Sequence, residues 1–128
     1  DMVSNVYLPK LEEGILKKLE TMGQEWIDVP MLARTHGQPA SPTRVGKEIL
    51  VFVERLRNQL VAIKNHTYLA KFGGATGGFN AHAVSFPDVC WTKFSDSFIT
   101  GLGLTRSQYT TQIAHYDDVA ALFHAMMR

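Results

Sequence analysis

The sequence predicts an all-α protein in which long helices form a bundle and are joined by ordered functional loops. Apolar residues recur every three or four positions along much of the chain, which is the period of one helix face. The segments between these stretches lose that period and are rich in Pro, Gly and polar residues. One predicted helix is also too long to bury its apolar stripe alone, which favours a bundle.

The first helix is predicted over about residues 10 to 26. Its apolar stripe consists of Leu11, Ile15, Leu19, Met22 and Trp26. Residues 27 to 42 carry three prolines, and each proline disfavours helical backbone in the residue before it. We therefore expect an ordered loop there, ended by Ser41 as an N-cap and Pro42 at the first helical position.

A long helix is predicted from Pro42 to about Leu69, and at 1.5 Å per residue it would be roughly 40 Å long. Its apolar stripe consists of Ile49, Phe52, Val53, Leu56, Leu60 and Ile63. A helix of that length cannot bury this stripe against a globule of 128 residues, so it needs more protein beside it.

The segment from 71 to 86 has no helical stripe, and it predicts a loop of the kind that is often functional. A third helix is predicted from Pro87 to about Leu102, and after a second polar loop a last helix is capped by Asp117. The chain opens at Asp1 on a plausible helix and stops in mid-helix. We therefore expect residues 1–128 to be a fragment of a longer chain.

The composition limits the classes of partner. Lys and Arg number 13 against 12 Asp and Glu, so the net charge of +1 provides no field for binding nucleic acid or an anionic membrane. Cys90 is the only cysteine, which excludes an intrachain disulfide and favours the cytoplasm. Neither a membrane span nor a signal peptide is expected.

The glycine-rich run from Gly73 to Gly78 lacks the spacing of a phosphate-binding P-loop. The favoured interpretation is a tight crossover at which backbone packs on backbone, where glycine removes the Cβ clash. Exposed amides in such a loop can also line an anionic site, and that alternative stays open.

The five histidines show none of the ligand spacings of a metal site, so no metal is expected. His36 follows Arg34 and Thr35 in a proline-pinned segment leading to a predicted helix N-terminus, where the dipole attracts anions. It is therefore a candidate general acid or base, with a structural histidine as the alternative. Gln112, after two threonines, is either an anion-binding amide or part of a turn.

Three motifs in this order resemble the adenylosuccinate lyases of the fumarase/aspartase superfamily: RTHGQPASPTRVGKE (34–48), KFGGATGGFNAH (71–82) and TTQIAHYDDVAALF (110–123). The resemblance covers essentially the whole chain. It implies that residues 1–128 are part of the central helical domain of a longer chain, with no second domain within them. It also implies an all-α homotetramer with a central bundle of long helices, active sites assembled from several subunits, and no cofactor. The alternatives are argininosuccinate lyase, fumarase, or a helical oligomerisation module without a site.

The reaction that the resemblance implies is β-elimination of fumarate from adenylosuccinate, giving AMP, and from the succinyl-carboxamide ribotide of purine biosynthesis. His36 then corresponds to the general acid that protonates the departing nitrogen, and Thr35 and Gln112 correspond to substrate contacts. Gly78 and Ala114 depart from the Asn and Glu of many relatives. The family's serine loop, which supplies the base, is absent from these 128 residues, so we expect the fragment alone to be inactive.

Overall fold

The computed structural model describes residues 2–128 and divides the chain into two compact units, Asp1–Lys64 and Asn65–Arg128. Asp1, on which a helix was expected to open, lies outside the described residues. The protein is mostly helical, as predicted, but it is not all-α, because each unit also contains a pair of β-strands. No helix within residues 2–128 has the length and apolarity needed to cross a membrane.

The first unit opens with a helical run in which α-helical and π-helical segments alternate. The segments are Val3–Tyr7 (π1), Leu8–Leu11 (α1), Glu12–Leu16 (π2) and Lys17–Glu25 (α2). The run begins well before the predicted residue 10. Pro9 lies inside this run and has no N–H to donate, and π-helical segments, in which the regular α-helical hydrogen-bond ladder is interrupted, lie on both sides of α1.

The segment predicted as a loop is mainly an antiparallel hairpin of β1 (Pro30–Thr35) and β2 (Gln38–Arg44). The loop prediction was wrong because the prolines argue against a helix but do not exclude a strand at the edge of a sheet. In a two-stranded ribbon both strands are edges, and Pro39 and Pro42 are accommodated opposite Arg34 and Leu32. The predicted N-cap at Ser41 was also wrong, since that residue lies within β2.

The long helix, α3, spans Val45–Lys64, so it is shorter at both ends than predicted. Its 20 residues give a length of about 30 Å. Val53, Leu60 and Ile63 are buried, as the apolar stripe predicted, whereas Phe52 is 56% exposed. Phe52 precedes Val53 by one residue, which places it about 100° away around the helix and off the buried face.

The start of α3 is fixed closely against the end of α2. The Gly46 amide donates to the Trp26 carbonyl at 2.9 Å, and the Val45 amide donates to the Val29 carbonyl at 2.9 Å. A Cβ built on Gly46 would lie 2.1 Å from the Gly23 carbonyl oxygen and 2.6 Å from Ile27 Cα. This crossing therefore requires glycine, and it sets the point from which the hairpin extends.

Gly46→Ala is expected to lower the free energy of unfolding by about 1–3 kcal/mol, because backbone atoms on both sides of the new methyl cannot move aside cheaply. Urea unfolding measures the change. The matched control is Gly14→Ala, since Gly14 is also helical but has no heavy atom within 4 Å of its Cβ position. The control should be neutral or stabilising by about 0.4–1 kcal/mol. Equal stability of the two variants would contradict the close crossing.

The second unit contains three helices and a short parallel ladder. Its elements are β3 (Leu69–Ala70), α4 (Asn80–Ser85), α5 (Trp91–Gly101), β4 (Thr105–Arg106) and α6 (Asp117–Met127). Strand β3 pairs with β4, which brings the two polar loops of the sequence to the same part of this unit.

Three predictions for this unit need correction. Helix α4 lies in the segment expected to be without helix, and its six residues are too few to show an apolar period. Helix α5 begins at Trp91 rather than Pro87. Helix α6 begins at Asp117, but Tyr116 is the N-cap residue and makes no capping hydrogen bond through its side chain.

Candidate functional site

Thr35 and His36 lie at the tip of the β1–β2 hairpin. Thr35 pairs with Gln38, so His36 and Gly37 form a two-residue turn between the strands. Their φ angles are 49° and 75°, and positive values at both central residues are what a type I′ turn requires. Glycine adopts this region freely, and histidine is among the side chains enriched there. Both Thr35 and His36 are consequently exposed to solvent.

His36 does not lie at a helix N-terminus. Strand β2 has seven residues and separates the turn from α3, which at about 3.3 Å per residue is a distance of roughly 23 Å. The prediction that the helix dipole acts at His36 was therefore wrong. The turn itself is held by its own strands, with Arg34 Nη1 donating to the Gly37 carbonyl at 3.4 Å.

The imidazole of His36 is uncommitted. Within residues 2–128 it makes no hydrogen bond, and both of its nitrogens are available to an incoming group. A group that exchanges a proton with a ligand has to be within reach of that ligand. The turn fixes the backbone of His36 and leaves its ring nitrogens accessible.

The base of the hairpin carries most of the charge in this region. Arg44 forms an ion pair with Asp28, and Thr43 Oγ1 donates to Glu48 Oε1 at 3.0 Å. Lys47 also donates to the Glu48 carboxylate, and the hydrogen bonds from Lys47 and Thr43 lower the pKa of Glu48 below its ordinary value. These contacts tie the last part of β2 to the first turn of α3.

In the second unit the glycine loop packs directly on the segment that precedes α6. Gly77 has φ +76°, and a Cβ built there would lie 2.1 Å from the Thr110 carbonyl oxygen. The same Cβ would lie 2.9 Å from Thr110 Oγ1. The interpretation of this loop as a close backbone approach is therefore confirmed at Gly77.

Lys71 joins the same two segments. Its Nζ donates to the Gly74 carbonyl at 2.6 Å and to the Gln112 carbonyl. The side-chain amide of Gln112 is exposed and makes no hydrogen bond in the part of the chain that the structure describes. Gln112 thus has a fixed backbone and a free amide.

Arg106 makes several contacts within this unit. Arg106 is 8% exposed, and it donates from Nε to Asp96 at 2.5 Å and from Nη2 to Gln108 at 2.8 Å. Its guanidinium also lies 5.9 Å from the centroid of the Phe79 ring. These partners occupy Arg106, so it does not supply charge to a ligand.

His82 belongs to an aromatic cluster. Its ring centroid is 4.8 Å from that of Trp91, 5.6 Å from Phe72 and 5.8 Å from Phe79. These tilted and edge-on contacts are typical of structural packing between rings. Over residues 2–128, no three His, Cys, Asp or Glu side chains come together in a group that could hold a metal ion.

The predicted site residues fall in two places. Thr35 and His36 share the hairpin tip of the first unit, and Gln112 lies in the second unit beside Lys71 and Gly77. Sequence reasoning named Gln112 but missed Lys71 as the residue that fixes its backbone. The only local signal was a lysine placed just before the glycine run, which does not reveal a partner 41 residues away.

The chain is similar to a known class of enzymes. The whole chain, residues 1–128, matches a family model described as Lyase. The chain belongs to this lyase family.

Its relatives carry a more particular name. The chain is 50% identical to adenylosuccinate lyase of Dictyostelium discoideum over 131 residues, which cover 100% of this chain and 28% of that protein. It is 41% identical to adenylosuccinate lyase of Haemophilus influenzae over 123 residues, covering 96% of this chain and 27% of the relative. For the Escherichia coli enzyme of the same name the identity is 38% over 128 residues, with coverage of 100% and 27%. The predicted resemblance is confirmed, and the chain spans about 28% of the length of the first of these relatives.

Proposed function

We propose that residues 1–128 are part of the central helical domain of an adenylosuccinate lyase, with both units belonging to that one domain. The parent enzyme cleaves adenylosuccinate to AMP and fumarate, and it cleaves the succinyl-carboxamide ribotide of purine biosynthesis in the same way. The supporting similarity to adenylosuccinate lyases extends over the whole chain. The observation that carries the site is the exposed, uncommitted imidazole of His36 at a hairpin tip.

The proposed reaction assigns one proton transfer to this chain. A base removes a proton from the succinyl carbon, the C–N bond then breaks, and its electron pair passes to the departing nitrogen. His36 protonates that nitrogen, because a histidine side chain can act as a general acid. Thr35 and Gln112 bind the substrate through a hydroxyl and an amide. The base belongs to the family's serine loop, outside residues 1–128.

The parent enzyme is proposed to be a cytoplasmic homotetramer whose long helices form a shared bundle, with no cofactor. The support comes from α3, where Val51, Phe52 and Val61 are 42%, 56% and 55% exposed. Val51 and Phe52 are neighbours, whereas Val61 lies on the side of the helix opposite Phe52, so α3 exposes apolar side chains on more than one face. Neighbouring helices of a bundle would cover such surface. In this proposal each active site is completed by residues of neighbouring subunits.

The function is tested with the full-length protein that contains residues 1–128. We expect fumarate release from adenylosuccinate, and none from argininosuccinate or by dehydration of malate. Ultraviolet absorbance measures each reaction. AMP at about 100 times its Kd should stabilise the protein by about 2.7 kcal/mol, and arginine should not. Cleavage of argininosuccinate alone would move the assignment to that lyase.

The 128-residue fragment provides a separate measurement. We expect no fumarate release from it, because it has the acid without the base. Light scattering and AMP titration of the fragment test the remaining alternative, since a fragment that is only an oligomerisation module would assemble without binding AMP. Turnover by the fragment would contradict the proposed division of acid and base.

A further inference from the structure

Lys71 is held between two backbone carbonyls. Its Nζ donates to Gly74 O at 2.6 Å and also to Gln112 O, and the side chain is half-buried. Among residues 2–128 no carboxylate lies within ion-pair distance of this ammonium. A charged donor forms stronger hydrogen bonds than a neutral one, so both carbonyls are held firmly.

A second contact joins the same two segments. Gly77, three residues after Gly74, is in backbone contact with Thr110, two residues before Gln112. The segment 110–112 is therefore attached to the glycine loop at two points, one close approach and one ammonium. Two attachment points fix the direction of a short segment, whereas one would let it pivot.

These two attachments hold the backbone of Gln112 and leave its side chain free. With its carbonyl held by Lys71, the Gln112 backbone has a set position, and only the side-chain torsions remain free. The amide itself has no partner in the described part of the chain, so it can meet a ligand. Holding a binding group in place before the substrate arrives reduces the entropy lost on binding.

We propose that Lys71 is a positioning residue for substrate binding, which acts by holding the Gln112 backbone against the glycine loop. The inference rests on the proposed function, because that function makes Gln112 a substrate contact. It adds a residue that does not itself contact the substrate. Lys71 thereby gives the glycine loop a role in binding without a phosphate cradle.

The test is a double-mutant cycle in the full-length protein with adenylosuccinate as substrate. Lys71→Met removes the ammonium and keeps most of the apolar stem, and it should raise KM about tenfold with kcat changed less than about threefold. Gln112→Ala should raise KM similarly. The double variant should be no worse than Gln112→Ala, because Lys71 acts through Gln112. Multiplied effects in the double variant would overturn the proposal.

Two matched variants separate positioning from general stability. Lys71→Arg retains a cationic donor and should recover most of the lost affinity. Lys93→Met removes an exposed lysine of the same unit that makes no hydrogen bond among the described residues, and KM should not change. A rise in KM with Lys93→Met equal to that with Lys71→Met would overturn a specific role for Lys71.

Amide hydrogen exchange measures the attachment without any substrate. Lys71→Met should speed exchange in a peptide covering residues 110–113 by about tenfold, while peptides from α5 keep their protection. Unchanged exchange at 110–113 would overturn the proposal even if KM rose. Failure of the proposed function looks different, because the wild-type protein would then not cleave adenylosuccinate, and the substrate role of Lys71 would fail with it.

Discussion

Replacing His36 with Asn lowers kcat of the full-length lyase by about 10²–10⁴-fold, which is the usual contribution of a general acid. Asn is the informative substitution because the turn needs positive φ at this residue, where His36 has φ 49°. Asn-Gly is the preferred pair for a type I′ turn, so His36→Asn removes the titrating ring and keeps the hairpin. Alanine would remove the ring but would also strain the turn.

Steady-state kinetics and thermal unfolding together decide this prediction. We expect an unchanged midpoint of unfolding and a much lower kcat. His124→Asn is the matched control, since His124 is an exposed histidine on α6 and should keep wild-type kcat. A His36→Asn variant with kcat within about threefold of wild type would contradict the general-acid role of His36.

The spacing of apolar residues along the sequence correctly predicted which side of α3 is buried. Val53, Leu60 and Ile63 are buried as the helical period predicted, because a residue's position around a helix is set by its place in the sequence. The hairpin was missed for an equally local reason. The prolines were used only to exclude a helix, and a strand was not considered for this segment, although edge strands tolerate proline.

Contacts between segments far apart in the sequence could not be predicted from the residue pattern within either segment. The ladder between β3 and β4 joins Leu69 to Thr105, and nothing in either short strand specifies its partner. The link between Lys71 and Gln112 has the same character. The type of each residue shows what chemistry it can perform. Whether two such residues come into contact depends on how the loops and helices between them fold.

The reasons that singled out His36 from the sequence were partly incorrect, and its role stays a prediction. His36 was singled out by its motif and by a supposed helix dipole, and the structure removes the dipole while keeping the exposed imidazole. The position of the His36 imidazole is set by the backbone instead, because His36 lies in a two-residue turn with a defined φ angle. Glycines were better predicted, because the absence of a side chain has a direct steric meaning at Gly77.

Gly77→Ala produces the largest loss of stability that we expect from a single methyl group in this chain. Two penalties act at once. Alanine at φ +76° costs about 1–2 kcal/mol of backbone strain. A methyl group 2.1 Å from the Thr110 carbonyl oxygen forces the two segments apart, at a further cost of about 1–3 kcal/mol. Gly46→Ala meets only the steric penalty and regains some helix propensity.

Gly103→Ala separates the two penalties at Gly77. Gly103 has φ +75°, but no heavy atom lies within 4 Å of its Cβ position, so its substitution measures backbone strain alone. Urea unfolding should place Gly103→Ala about 1–2 kcal/mol below wild type and Gly77→Ala clearly lower. Gly77→Ala should also raise KM, because the displaced segment carries Gln112. If both variants lost the same stability and KM stayed unchanged, the backbone contact between Gly77 and Thr110 would have no energetic or functional weight.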